Sequence, residues 1–459
     1  MAERGALAPA WRQANVRDGF TVAAVGDLVV DDALTPLLER RSPGLLELLR
    51  SADVTVGNFE GTAADLREFE GWPEAEPGGS WLISTPAVPA DLRRMGFDLV
   101  SRANNHTTDW GVAGMRATDR LLTEAGLVHA GTGETLADAR APRFLVTPAG
   151  RVSLVSLATR FEPGARAADP FGRVPGRPGL NALRTGRRVR VPPADLAALA
   201  RIRDGLPEGV VKTSVLDADR ATGTVTLFGT SYAAGDTVDL ELTMHAPDLR
   251  AVLRSVRQAK QTSDFTITAV HTHEPGNRSR TPPGFLPELA REAIEHGADL
   301  VAGHGPHQLR GIEVHRGRPI FYSLGNFVFM ENTQQPLTHD TGPDTTEAEY
   351  LEHKRVHGVF EEQVWYESVV VLCRFTERGS LAALELHPVE LRWDGGRDAD
   401  RGIPRLADET AAARILDRLR RLSAPFGTGI VVRDGVGYWS AGGPRTAHRP
   451  PAAGRVSPR

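Results

Sequence analysis

The chain has 459 residues, 41% hydrophobic and 24% charged, a globular balance with enough apolar side chain for a sizeable core. That length excludes a stapled miniprotein and leaves one large elaborated domain or two domains open. With 54 Lys and Arg against 58 Asp and Glu, the formal net charge of -4 excludes the basic excess of a dedicated nucleic-acid binder, and the single cysteine, Cys373, excludes an intrachain disulfide.

Residues 1–17 show no clear period. After them one pattern recurs, in which a helical stretch leads into a short apolar strand that ends in a polar or glycine-rich loop. Thr21–Val25 runs into Gly26 and Asp27. A helix at Leu45–Arg50 and a strand at Val54–Val56 lead to Gly57-Asn58-Phe59-Glu60, and a helix at Asp91–Met95 and a strand at Leu99–Ala103 lead to Asn104-Asn105-His106. Residues 163–262 break the pattern with Arg-, Pro- and Gly-rich loops, a helix near Leu196–Ile202 and an alternating segment at Thr222–Thr230, the signature of an inserted lobe. Phe265–Val270 then runs into His271-Thr272-His273-Glu274, while a helix at Pro287–His296 and a strand at Leu300–Ala302 lead to Gly303-His304-Gly305-Pro306-His307. Ile320–Met330, Ser368–Thr376 and Leu381–Leu391 read as antiparallel strands, with Cys373 as a buried structural thiol. Leu406–Leu422 reads as a closing amphipathic helix, and Ser440–Arg459, with no acidic residue, as a disordered tail. No run of 18 apolar residues occurs, so neither a membrane span nor a signal peptide is expected, and a cytoplasmic location follows by default.

Such alternation predicts an α/β fold with several parallel strands, in which ligands collect beyond the carboxyl ends of strands. His271, His273, His296, His304, His307 and His315 crowd into 45 residues of a chain with 14 histidines. Imidazole paired with carboxylate suits Zn, Mn or Fe better than Ca or Mg. Asp27, Glu60, Asn105, His106, His271, His304 and His307 all fall at strand ends. Each alone has an ordinary reading as a helix cap or hydrogen-bonded loop residue; their joint occurrence points to metal. A divalent ion held there would lower the pKa of a bound water and stabilise a tetrahedral or phosphoryl transition state. A neutral Asn ligand would keep such a centre electrophilic, and His106, with Asp109 three residues on, has the makings of a general acid. Arg310, three residues after His307, is expected to contact substrate, whereas Arg184, Arg187, Arg188 and Arg190 read as a solvated basic face. No nucleotide-binding fingerprint is present, and Ser323 lacks a nucleophile elbow.

Ala24-Val25-Gly26-Asp27, Asn58-Phe59-Glu60, Ala103-Asn104-Asn105-His106 with Asp109 and Gly111, the stretch from Gly297-Ala298-Asp299 to His304-Gly305-Pro306-His307, and Ile320–Phe327 occur in that order. Together they resemble the motifs of bacterial capsule-synthesis proteins of the CapA type, which are implicated in poly-γ-glutamate production and share the fold of calcineurin-like metallophosphoesterases. The resemblance implies a metallophosphatase-like two-sheet sandwich flanked by helices over residues 18–395, with the inserted lobe at 163–262, a helical extension at 396–439 and the tail at 440–459. It implies that Asp27 and His307 hold one metal, that Asn105, His271 and His304 hold the other, that Glu60 bridges them, and that His106 protonates the leaving group. Asn58 and Asn326 are expected behind the ligands. Many members have His-Trp-Gly where this chain has His271-Thr272-His273, so His273 is expected as an extra ligand or a substrate contact. The activity implied is that of a metal-dependent hydrolase with two divalent ions (Mn, Zn or Fe), cleaving a phosphoester, or an amide or ester of an anionic small-molecule or polymer substrate, by metal-bound hydroxide. The alternative is a non-catalytic, polymer-binding accessory of a synthesis complex, beside a ligase-type partner.

Overall fold

The computed structural model describes residues 14–75, 81–330, 360–393 and 400–441, with Thr346 and Glu349. The strands that frame the site are, in chain order, β1 (Phe20–Val29), β2 (Val54–Phe59), β3 (Leu99–Ser101), β4 (Val128–Ala130), β5 (Arg143–Thr147), β6 (Gly150–Ala158), β7 (Phe265–His271), β8 (Leu300–His304), β9 (Ile312–His315), β10 (Arg318–Phe321), β11 (Asn326–Phe329), β12 (Glu367–Phe375), β13 (Leu381–Glu390), β14 (Val431–Arg433) and β15 (Val436–Ser440). Among the described residues they build a ten-stranded sheet in the order β14-β15-β13-β12-β1-β2-β3-β4, with β11 also on β1 and Arg405–Leu406 on β13, and a six-stranded sheet in the order β9-β10-β8-β7-β6-β5. The centre of each sheet is parallel: β11, β1, β2, β3 and β4 in the first, and β6, β7, β8 and β10 in the second.

Parallel strands covered on both faces read as continuous apolar runs, and β2, β7 and β8 are buried at every residue. Between the sheets, Phe20, Val22 and Val54 meet Leu154, Phe265 and Ile267 in one core. Phe265 packs between Phe20, tilted at 5.1 Å between ring centroids, and Phe375, edge-on at 4.8 Å. The outer face of the first sheet is covered by helices 43–50 and 88–95 through Leu45, Leu49, Leu92 and Met95. Helices 246–261 and 285–295 cover the second through Val252, Val256, Leu286 and Leu289. The result is a helix, sheet, sheet, helix sandwich.

The closing helix forms at Glu409–Ser423, where the Asp408 side chain accepts the Ala411 N–H at 2.9 Å as an N-cap and Ile415, Leu416 and Leu419 enter the inter-sheet core. Cys373 is buried in β12, and burial pushes its thiol up, as befits an inert structural residue. Residues 1–13 and 442–459, which include nearly all of the expected tail, lie outside the described residues. No helix among the described residues is long and apolar enough to cross a membrane.

Two segments depart from the sequence reading. Ile320–Met330, expected as one antiparallel strand, is two: β10 pairs parallel with β8 in the second sheet, and β11 pairs parallel with β1 in the first. Tyr322–Gly325 crosses between the sheets, and β1 accommodates the crossing through Gly26, where a Cβ would stand 1.8 Å from the Gly325 carbonyl oxygen. The Asp27 N–H donates to that same oxygen at 2.9 Å. Residues 246–261, placed within the insertion by sequence, form a helix that packs on the second sheet because Val252, Val256 and Ala259 recur on one face. The lobe itself is a four-stranded sheet of Thr185–Val191, Val225–Leu227, Thr230–Ala234 and Asp239–Met244. It leaves and returns at adjacent residues, since Thr185 pairs with Met244 and the His245 N–H donates to the Arg184 carbonyl at 2.8 Å.

Candidate metal centre

Strand register brings the polar residues level. On the first sheet Asp27 lies beside Asn58 of β2 and Asn326 of β11; on the second, His271 of β7 lies beside His304 of β8. Asp27, Asn58, His271 and His304 stand at or near the carboxyl ends of their strands and Asn326 opens β11, and the face-to-face packing of the sheets confronts the two rows. Glu60 follows β2 directly, its N–H donating to the Leu28 carbonyl at 3.2 Å. His307 follows β8 with φ +59°, a left-handed backbone that costs a non-glycine residue about 1–3 kcal/mol. Its ring contacts offset that cost: Nδ1 lies 2.9 Å from Asn326 Oδ1 and 3.4 Å from Asp27 Oδ2.

The remaining contacts converge on Glu60. Oε1 of this carboxyl is 3.6 Å from His271 Nε2, 3.8 Å from His307 Nε2 and 3.9 Å from His106 Nε2. His271 Nε2 is also 2.7 Å from Asn105 Oδ1 and 2.9 Å from His273 Nε2, and the latter is 3.0 Å from Asn105 Oδ1. Asn58 Nδ2 donates to Asp27 Oδ1 at 2.8 Å and sits 3.2 Å from His271 Nδ1, fixing both. Two groups of three offer donor atoms within 4.8 Å of one another: Asp27, Glu60 and His271, and Glu60, His273 and His307. Glu60 belongs to both.

Electrostatics leave Asp27, His271, His273 and His304 in the donor form, whereas Glu60 and His307 hold protons that a cation would displace. Burial, reinforced by the Asp27 charge, pushes the Glu60 carboxyl up to about 8. Burial acts on Asp27 in the same direction, but the hydrogen bond and charge of His307, with His304 and His271 behind it, hold that carboxyl far below the usual range. His307 answers in kind: burial disfavours its charge, yet Glu60 and Asp27 raise it to about 9. His271 and His273 are pushed down by burial and by neighbouring imidazoles, His273 to about 3, and burial lowers His304. Neutral imidazoles with lone pairs beside carboxylates are the donors that borderline divalent metals take. Among the described residues, the buried Glu60 Oε1 and His304 Nδ1 find no hydrogen-bond partner. Each such atom costs about 1–3 kcal/mol, and a bound cation offsets it. The donor set therefore fits a metal.

The two donor groups comprise carboxyl and imidazole donors alone, and across them Asp27 Oδ2 also lies 3.4 Å from His307 Nδ1. Asp27 is grouped with His271, and His307 with His273; His304 stands outside both groups, with Nε2 3.2 Å from the Val25 carbonyl. Arg310, expected at the substrate, is fully buried: Nε donates to the Ser279 carbonyl at 3.2 Å and Nη2 to that of Gly276 at 3.4 Å, so it holds the loop after His273 from behind. His106 Nδ1 lies 2.7 Å from Asp109 Oδ2, which also accepts the Leu82 N–H at 3.1 Å. Burial opposes charge on His106, but Asp109 outweighs it and raises the imidazole. Asn58 and Asn326 both lie behind the donors. His296 and His315 sit apart on Glu292 and Glu295.

Three supporting residues escaped the sequence reading. Arg102, fully buried, donates from Nη1 to the carbonyls of Phe59 (3.1 Å) and Gly61 (2.7 Å), on either side of Glu60. Asn104 Nδ2 donates to the Phe59 carbonyl at 2.8 Å, and Asn277 Oδ1 accepts from His273 Nδ1 at 2.7 Å. Their adjacency to the strand-end motifs was the available signal for the first two; Asn277 had none.

A family model described as bacterial capsule synthesis protein PGA_cap matches residues 21–331, from β1 through β11 and so across every donor named above. The uncharacterized protein y4uA of Sinorhizobium fredii (strain NBRC 101917 / NGR234) is 47% identical over 442 residues, 92% of this chain and 93% of that protein. The capsule biosynthesis protein CapA of Bacillus anthracis is 23% identical over 331 residues, 71% of this chain and 62% of its own length. The PGA biosynthesis protein CapA of Bacillus subtilis (strain 168) is 24% identical over 322 residues, 68% of this chain and 64% of its own.

Proposed function

The chain belongs to the bacterial capsule synthesis protein family PGA_cap, and from that membership we propose that it is a dinuclear metal-dependent hydrolase acting on a phosphoester, or on an amide or ester, of an anionic substrate. The observation that carries this reading is the buried Glu60, shared by two donor groups and lacking a hydrogen-bond partner at Oε1 among the described residues. Asp27, Glu60, Asn105, His271, His304 and His307 would hold two divalent cations of the Mn, Zn or Fe class. Such cations supply Lewis acidity that activates a water and screens the charge of an anionic substrate.

The chain's own residues orient and move protons. Asn58 aligns Asp27 with His271, and Asn326 fixes the ring of His307. Asp109 holds His106 through Nδ1, which turns Nε2 toward the cluster, and keeps the ring basic enough to carry a proton. From that position Nε2 donates to the leaving group. The test is turnover of a generic phosphodiester and a γ-glutamyl amide by the metal-loaded protein, with His307→Ala as control. Rates no faster than the control end the hydrolase reading.

The names of the Bacillus relatives, both biosynthesis proteins, favour a second reading: an accessory of poly-γ-glutamate synthesis that holds the polymer without cutting it, beside a ligase-type partner. Polymer retention without cleavage, and assembly with such a partner in the absence of metal, would select it.

A further inference from the structure

We infer that His273 is a metal ligand in its own right, so that the centre carries four imidazoles (His271, His273, His304 and His307) and selects a borderline transition cation over Mg; this rests on the metal-centre reading above. Residues two apart along an extended chain share a face. His271 ends β7, and His273 follows on its side with ring centroids 4.9 Å apart, while Thr272 between them turns away to donate to Glu274 Oε2 at 2.7 Å. The His273 ring also lies 5.4 Å from that of His307, so it spans the gap between the two donor groups.

Proton accounting separates a ligand from a bystander. Asn277 Oδ1 only accepts, so the 2.7 Å contact places the proton of a neutral His273 on Nδ1 and leaves a lone pair on Nε2. That lone pair faces Asn105 Oδ1, another acceptor, at 3.0 Å, and His271 Nε2 at 2.9 Å. Three donor atoms in mutual contact thus share at most one hydrogen, an arrangement that an electrophile between them relieves. An oxygen acceptor on the far ring nitrogen is also what fixes the tautomer of a ligating histidine. The support is built in advance, because Gln308, next to His307, donates to the Asn277 carbonyl, and Arg310 holds Gly276 and Ser279. Imidazole nitrogen favours Zn, Co or Fe, whereas Mg demands oxygen.

The experiment is competition between the full chain and a chromophoric chelator for Zn2+, Co2+ and Mg2+ added alone, without substrate. Wild type is compared with His273→Gln and Asn277→Ala, each first confirmed as folded by circular dichroism in the metal-free form. His273→Gln is expected to lower Zn2+ and Co2+ affinity at least ~10-fold and to change the visible Co2+ spectrum, with Asn277→Ala weakening affinity in the same direction through the ring it orients. Mg2+ binding should change little. Unaltered affinity and spectrum in His273→Gln would overturn the assignment, as would a wild type that takes up no transition metal. If His273→Gln loses metal while wild type binds it yet turns over no substrate, the ligand assignment stands and only the hydrolase reading falls.

Discussion

The strand-end cluster and the inserted lobe hold charge in opposite ways. In the cluster, Asp27, His271 and His304 are wholly buried, and Glu60 Oε1 lacks a hydrogen-bond partner among the described residues. In the lobe, Arg190 and Arg188 lie in the open against Glu241 at 3.0 and 3.9 Å, Arg184 pairs with Asp248 at 2.7 Å, and helix 193–204 has no buried residue at all. The lobe holds the denser run of like charge, yet most of it is answered by carboxylates or water, with Arg188 Nε as an exception among the described residues. What sets the cluster apart is the convergence of buried carboxyl and imidazole donors within reach of one another.

Four substitutions sharpen or break this contrast. Glu60→Gln removes the shared carboxylate, and metal affinity should fall by more than the ~100-fold that loss of a merely supporting residue costs; elemental analysis showing the wild-type complement would refute the contrast at its centre. Arg102→Met strips the hydrogen bonds from the carbonyls flanking Glu60 and should cost about 2–4 kcal/mol in urea unfolding. Asp248 supplies a pH-dependent case at the root of the lobe. Burial pushes its carboxyl up, but hydrogen bonds and charge from Arg184 win and bring it from 3.8 to about 2. A depressed carboxyl contributes stability above its unfolded value and loses it as pH falls through the folded one. Asp248→Asn should therefore be less stable than wild type by about 1–2 kcal/mol near pH 6, with the gap closing between about pH 4 and 2; a gap unchanged at low pH would refute the pairing. Smallest is Arg190→Met, whose exposed pair with Glu241 should be worth no more than ~1 kcal/mol and less in high salt, read from thermal melts.

Much of the fold was legible because a short parallel strand delivers its last residue to one edge whatever its partners. Asp27, Glu60, Asn105 and His271 could be placed at that edge from apolar runs that stop at polar residues. The break at Tyr322–Gly325 was hidden, since 320–330 is one apolar stretch and only the passage of Gly325 over Gly26 splits it between two sheets. The backbone partners of Arg310 were equally hidden, because proximity to His307 in sequence does not say which carbonyls a buried guanidinium meets. The approach of His273 to His307, beside the contact of Asp27 with the same ring, depends on side-chain directions, and these belong to the packed molecule.

The donors span the chain from Asp27 to His307, and half of them reach the others only when one sheet docks on its neighbour. A chain emerging from the ribosome cannot assemble the pocket until nearly 310 residues are out and both halves have met. On the proposed metal reading, ion uptake would thereby be a closing event of biogenesis, and a truncated or misregistered copy would lack the pocket that holds the cation.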